Sequence, residues 1–150
     1  MLDILIVLVV VFIVISFTMT SVITVQKPAV RNMAARQVEN YFEQARSDSR
    51  RRRATAPAQM AQVTIINERY YSVTMDANGD GVLDTPIVVS LVEENVTLNG
   101  PFPRTLFFDS AGRTVDSSAN VIEPSAITLT NPSGTSTVKL SNSGQASTNK

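Results

Sequence analysis

The first 26 residues are mostly apolar, with Asp3 as their single charged side chain and Lys27 as the first charge after them. Crossing a bilayer takes about 20 apolar residues, a length that residues 4–25 supply. The run is too long for the apolar part of a secretory signal, and no small-residue cleavage site follows it. The pattern therefore predicts a retained hydrophobic membrane helix over residues 1–26.

A different pattern follows in residues 27–53, where apolar side chains recur every three or four positions. This spacing indicates one buried face of an amphipathic helix. The predicted face consists of Val30, Met33, Ala34, Val38, Tyr41, Phe42 and Ala45. Between the two helical parts, residues 18–28 are rich in weak helix formers, and Pro28 cannot donate a backbone hydrogen bond. We expect the helix to be weakened there by a kink or local melting, with a simple bend as the alternative.

After residue 53 the pattern changes to short alternating runs separated by turn residues, which is typical of antiparallel hairpins. Pro57 favours an extended predecessor and so ends the helix. The runs predict strands over residues 62–66, 70–75, 87–92, 105–109, 126–130 and 136–140. The predicted fold class is α+β, with a long N-terminal helix packed on an antiparallel β-sheet head over residues 54–140. Residues 141–150 are expected to form a polar, frayed C-terminal tail.

The charges are balanced overall, with 13 basic and 13 acidic residues, but they are unevenly distributed. Residues 27–53 carry eight basic and three acidic residues, whereas residues 54–150 carry five and nine. The chain has no cysteine and no histidine, so disulfides, zinc sites and the commonest acid–base relays lack their residues. No phosphate loop or nucleophile motif is present either. We therefore predict that the protein is not an enzyme, the alternative being a membrane-anchored enzyme that uses carboxylates.

The order of these parts resembles the type IV pilin and type II secretion pseudopilin superfamily. The apolar start with an internal acid, residues 2–10, is similar to the N-terminal helix of that superfamily. Residues 34–38 and 45–53 resemble the stem of its GspH/FimT-like group, and residues 76–84 and 106–112 resemble parts of its head. The resemblance implies a structural subunit that rests in the inner membrane and then enters an extracellular or periplasmic filament of a bacterium. Its implied partners are identical or homologous pilin subunits, a prepilin peptidase and the assembly machinery.

The resemblance also implies a partner for Asp3. In such filaments an acid near the amino terminus pairs with the methylated terminal amine of a neighbouring subunit, which here belongs to Met1. Opposite charges about 4 Å apart attract by about 4 kcal/mol at an effective dielectric constant of 20, so this pair would set the register of the polymer. The family has a glutamate at the fifth mature position, whereas this chain has an aspartate at the third. The alternative for Asp3 is an anchor end that is solvated by lipid headgroups.

Residues 76–84 match the first nine positions of an EF-hand calcium loop. The candidate ligands are Asp76, Asn78, Asp80, the carbonyl of Val82, and Asp84. Position 12 is Ile87 instead of the usual glutamate, and Glu93 or Glu94 would have to be brought round to replace it. The alternative is a hairpin turn in which Asn-Gly and Asp-Gly supply positive φ angles. Calcium is the one cofactor that the sequence suggests, and none is required.

The densest charge on the chain is the run Arg50, Arg51, Arg52 and Arg53. Such a cluster can bind nucleic acid phosphates, which would suit a minor pilin that captures DNA or a secreted substrate. The alternatives are a solvated helix end that favours the helix dipole, or a contact with an acidic patch of the next subunit. The acidic candidates are residues 76–84 and Glu93–Glu94. Asn95 begins an Asn-X-Thr sequence and is a candidate glycosylation site.

Overall fold

The computed structural model describes residues 2–122 and 125–149, and within the N-terminal helix it describes the side chains of residues 7–15 and of residues 26 onward. Over these residues one α-helix and a short 3-10 helix precede nine strands. The elements are α1 (Leu2–Arg52), a 3-10 helix (Pro57–Gln59), β1 (Gln62–Ile65), β2 (Tyr70–Thr74), β3 (Ile87–Ser90), β4 (Thr97–Asn99), β5 (Arg104–Phe108), β6 (Thr114–Val115), β7 (Ser125–Asn131), β8 (Gly134–Leu140) and β9 (Ala146–Asn149). The predicted α+β class, a helix packed on antiparallel sheets, is confirmed.

The head contains two antiparallel sheets. The first has five strands in the order β3-β2-β1-β5-β6, and the second has four in the order β4-β7-β8-β9. The six predicted strands correspond to β1, β2, β3, β5, β7 and β8. Strands β4 and β6 have three and two residues, too short for an alternating pattern to be visible.

The predicted frayed tail is wrong for residues 146–149. These residues form β9, which pairs with β8 from Thr137↔Asn149 to Leu140↔Ala146. Ala146 is buried, whereas the polar side chains of the strand carry no hydrophobic signal. Backbone pairing and the helix beside it therefore order this segment.

One face of α1 packs into the core between the two sheets. Its buried residues are Ala34, Ala35, Val38, Phe42 and Ala45. The ring of Phe42 meets that of Phe108 edge-on, with ring centroids 6.0 Å apart. The predicted face was wrong at Met33, which is 71% exposed. At 100° per residue Met33 lies roughly 150° from the centre of the buried face, so it points away from both sheets.

The backbone of α1 is helical through residues 18–28, including Pro28, so the predicted local melting is wrong, while the kink and the simple bend stay predictions. Asn131 Nδ2 in the head donates to the carbonyl of Lys27 in α1 over 2.8 Å. Residues 7–15, by contrast, have exposed fractions between 49% and 71%. Within the part of α1 and the head that the structure describes, we find no helix with the length and apolar composition of a membrane span.

Candidate functional site

A buried arginine of α1 attaches the β7–β8 hairpin of the head to the helix. Arg31, 8% exposed, donates from Nε to Ser136 Oγ over 2.9 Å, and from Nη1 to Ser133 Oγ over 3.3 Å and to Asn131 Oδ1 over 3.5 Å. We call Lys27, Arg31, Asn131, Ser133 and Ser136 the hairpin clamp. Together they fasten α1 to the β7–β8 hairpin and determine where the part of the helix beyond the head begins.

The hairpin clamp was missed by sequence reasoning, although a signal for it exists. Arg31 lies three residues before Ala34, on the buried face of α1, where a charge needs partners. Gly134 in the hairpin completes the fit, because its φ is +131° and a Cβ there would lie 2.9 Å from Arg31 Nη1. A side chain at position 134 would therefore displace the guanidinium.

The C-terminal end of α1 is attached to the head by a buried carboxylate. Asp48 accepts from Arg52 Nη2 over 2.6 Å, from Arg51 Nη2 over 3.1 Å and from the amide of Asp76 over 3.1 Å. The side chains of Asp48 and Arg52 are 5% and 9% exposed. We call these four residues the Asp48 junction. Since the pair is buried, removing one partner would leave the other charge uncompensated.

The four consecutive arginines have different environments. Arg51 bridges Asp48 and Asp76, and its Nη2 lies 3.3 Å from Asp76 Oδ2. Arg52 belongs to the Asp48 junction. Within the described parts of the chain, the side chains of Arg50 and Arg53 make no ion pair or hydrogen bond, and both are exposed. Arg51 thus contacts residues 76–84 within its own chain, whereas the predicted contact of the cluster with an acidic patch of the next subunit stays a prediction.

Arg50 and Arg53 line an open cleft beside the end of α1. Its other lining residues are Glu43, Arg46, Ser47, Arg51, Thr55 and Ser110. Arg46 pairs with Glu43 over 3.1 Å and donates to the carbonyls of Gly112 and Ser143. We call this surface the basic cleft. After the internal pairs are counted, Arg50 and Arg53 are its two charges available to an outside partner.

Glu43 and Glu39 also hold β9 against α1. The amide of Ala146 donates to Glu43 Oε1 over 2.8 Å, and the hydroxyl of Thr148 donates to Glu39 Oε2 over 2.6 Å. These two acids are therefore occupied in positioning the last strand.

Residues 76–84 form a hydrogen-bonded turn around the Asp76 carboxylate, which accepts from the amides of Gly79, Asp80 and Gly81. Desolvation acts to raise the pKa of Asp76. The hydrogen bonds from the Gly81 and Gly79 amides, the Arg51 guanidinium and the Asp80 amide outweigh it, so the pKa lies below its usual value. The carboxylate is thus held charged by groups of its own chain.

The carboxylates of Asp80 and Asp84, two further candidate calcium ligands, also accept hydrogen bonds inside the turn. Asn78 Nδ2 donates to Asp80 Oδ2 and to Asp84 Oδ1, both over 3.1 Å, and the amide of Val82 donates to Asp80 Oδ1 over 2.8 Å. Among the described residues, no group of three acidic, histidine or cysteine side chains is placed to hold a metal. The loop is a hydrogen-bonded turn in this structure, and calcium binding stays a prediction to be tested.

Glu93 and Glu94 do not approach that loop. They lie in the turn after β3 and line a groove with Gln26, Lys27, Val30, Asn95, Asn131 and Pro132, which we call the acidic groove. Asn95, in a left-handed conformation with φ 52°, is exposed in the same turn. An exposed asparagine is compatible with the predicted glycosylation, which stays a prediction.

Glu94 points partly inward from the acidic groove. Within the described residues, its Oε2 and the hydroxyl of Tyr71 are buried without a hydrogen-bond partner. Burial, with smaller contributions from Tyr41 and Glu94, raises the pKa of Tyr71 above its usual value. Glu93 is exposed and is therefore the carboxylate that the groove presents to solvent.

The remaining predicted assembly residues lie at the amino terminus. Asp3 belongs to α1, but its side chain is outside the described set, and Met1 is outside the described residues. Comparison with family models, with curated proteins and with solved structures yields no match. Membership of the pilin superfamily stays a hypothesis that rests on the resemblance of the sequence.

Proposed function

We propose that the protein is the structural subunit of a helical filament of the type IV pilus or pseudopilus kind. Copies polymerise through the N-terminal part of α1, and Asp3 of each copy pairs with the terminal amine, at Met1, of a neighbour. The subunit waits in the inner membrane of a bacterium, is processed by a prepilin peptidase and is moved by the assembly machinery into an extracellular or periplasmic filament.

One observation supports this proposal above the others, namely the exposure of residues 7–15. All nine side chains are hydrophobic, and every one of them is exposed by about half or more. A helix that is apolar on all sides is stable only when it is surrounded by lipid or by other protein, because exposed apolar surface costs about 25 cal/mol per Å². The head cannot supply that cover, since its hairpin clamp holds α1 from Lys27 onward.

Asp3 favours neighbouring helices over lipid alone as the final surroundings. An acid within a membrane-length apolar segment costs on the order of 3 kcal/mol to insert and needs a partner. A terminal amine on an adjoining copy would supply that partner and select one register, since a shifted copy would leave both charges unpaired.

The amino-acid composition of α1 is compatible with extraction from a membrane followed by repacking in a filament. In this proposal α1 consists of an apolar anchor, residues 2–26, and an amphipathic stem, residues 27–52. Residues 18–28, around their junction, have low intrinsic helix propensity. Their β-branched residues and Pro28 reduce the cost of adjusting the helix when lipid is exchanged for protein neighbours.

The test is polymer yield from the full-length chain. We expect Asp3→Ala and Asp3→Asn to reduce the filament fraction by tenfold or more, because the terminal amine loses its counter-charge at a cost of several kcal/mol. Asp3→Glu, which keeps the charge, should retain most of the yield. Wild-type yield from Asp3→Ala, or a chain that stays monomeric after detergent removal, would contradict the proposal.

A second candidate is a minor pilin that binds DNA or a secreted substrate at the filament tip. The observation in its favour is the basic cleft, where Arg50 and Arg53 have no internal ion pair among the described residues. If this role holds, Arg50→Ala with Arg53→Ala should reduce DNA retention and its dependence on salt. Arg36→Ala is the control and should not, because Arg36 is an exposed arginine of α1 outside the basic cleft. Unchanged retention in the double variant would dismiss it.

A further inference from the structure

The basic cleft and the acidic groove are complementary in charge and are located at opposite ends of the stem. The cleft lies beside residues 46–50 of α1, and the groove lies beside residues 26–30. Twenty residues of helix separate their centres by about 30 Å. One copy therefore cannot bring its own cleft and groove together.

The two surfaces also lie on different sides of α1. At 100° per residue, the helix positions that line the groove and those that line the cleft are separated by roughly 150° around the axis. The buried face of α1, which carries Val38 and Phe42, lies in the wider arc of roughly 210° on the other side of the helix. Each surface is therefore at a flank of the helix, clear of the head core.

Each surface has charge that its own chain leaves uncompensated. Arg50 and Arg53 have no side-chain ion pair among the described residues, and the same holds for Glu93 and Glu94. Lys27 at the groove offsets one of its two acids, and Arg46 and Arg51 of the cleft are engaged with Glu43, Asp48 and Asp76. What is left is a positive surface at one end of the head and a negative surface at the other.

We infer that the basic cleft of one copy docks against the acidic groove of the next copy along the filament. Arg50 and Arg53 contact Glu93, and Glu94 lies behind it. Different patches meet in this contact, so it is heterologous; a heterologous contact whose rotation does not close a ring repeats without limit as a helix. The inference rests on the proposed filament function and adds a contact between the head domains of successive copies. The axial offset between those copies is about 30 Å.

Charge reversal and charge exchange test the contact in the full-length chain. We expect Arg50→Glu with Arg53→Glu to reduce the filament fraction roughly tenfold, and Glu93→Arg alone to reduce it similarly, because like charges then face each other. Combining the three changes in one chain should restore the yield to within about threefold of wild type. The matched control is Glu68→Arg, since Glu68 is a 64% exposed acid outside the groove.

The outcomes separate this inference from the proposed function. No filament from the wild-type chain would contradict the proposed function itself. Wild-type filaments with undiminished yield in both reversed variants, an equal loss in Glu68→Arg, or no recovery in the exchanged chain would overturn the contact alone.

A cross-linking experiment gives an independent readout of the same contact. The chain has no cysteine, so Arg50→Cys combined with Glu93→Cys introduces the only two thiols. A disulfide needs Cα atoms less than about 7 Å apart, and about 30 Å of helix prevents it within one copy. We expect oxidised filaments of the double variant to give a ladder of covalent oligomers and each single variant to give none. Without a ladder in intact filaments, the inference would be wrong.

Discussion

Two parts of the same helix differ sharply in what holds them. Residues 27–52 of α1 have one face buried against two sheets, with a buried polar cluster at each end. Residues 7–15 have the same backbone conformation, yet their hydrophobic side chains are exposed on every side. Helical conformation is therefore common to both parts, while only the stem is packed against the head of its own chain. The head of the same chain therefore covers one face of residues 27–52 and leaves residues 7–15 uncovered.

The largest expected effect is in the core. Phe42→Ala should lower the free energy of unfolding of the head by about 3–5 kcal/mol, because a fully buried ring leaves a cavity beside Phe108. Ile13→Ala in the exposed segment and Met33→Ala on the stem should each change it by less than about 0.5 kcal/mol. Chemical denaturation of the full chain in detergent measures all three. Similar losses at positions 13 and 42 would show that the two parts of the helix do not differ in how they are packed.

The next effect concerns the attachment of the stem at its C-terminal end. Asp48→Ala should destabilise the head by about 3 kcal/mol, since Arg52 loses its buried counter-charge and the amide of Asp76 loses its acceptor. Glu68→Ala is the control, because the Glu68–Arg69 pair is exposed and worth less than about 1 kcal/mol. The same denaturation experiment applies. A loss at Asp48 no greater than that at Glu68 would show that the junction does not fasten the helix.

A smaller effect is expected at the hairpin clamp. Gly134→Ala combines positive-φ strain with displacement of Arg31, so we expect a loss of about 2–3 kcal/mol. Gly100→Ala isolates the strain, because Gly100 has φ +151° and no atom lies within 4 Å of the place that a Cβ would take. Its loss should be about 1 kcal/mol smaller. Hydrogen exchange of the amides around Lys27 should rise in Gly134→Ala alone, and equal behaviour of the two variants would contradict the role of the hairpin clamp.

The smallest effect is expected from calcium. We expect no rise in the Tm of the full chain at millimolar calcium, because the oxygens of Asp76 and its neighbours already accept hydrogen bonds from the turn and from Arg51. A site with a Kd near 0.1 mM would raise Tm by more than about 5 °C. Such a rise, if Asp84→Asn abolished it, would establish the calcium loop that the sequence suggests.

Local sequence patterns were sufficient for much of the fold. The three-and-four spacing of apolar residues located the stem helix, and alternation located six of nine strands, since both patterns report which side of an element is buried. They failed at Met33, where an apolar side chain is exposed, and at β9, whose polar residues are ordered by backbone pairing. Neither outcome is encoded in a short window of sequence.

For the charged surfaces, too, part of the information is local in the sequence and part depends on the fold. The sequence by itself identified the charged groups, because composition and spacing make Asp3, the arginine run and Glu93–Glu94 visible without a fold. Which charges are already paired follows from the fold. Arg51 and Arg52 pair with Asp48, and Arg51 also pairs with Asp76, whereas Arg50, Arg53 and Glu93 are exposed to solvent. Pairing depends on distances between residues far apart in the chain, and packing of α1 against two sheets determines those distances.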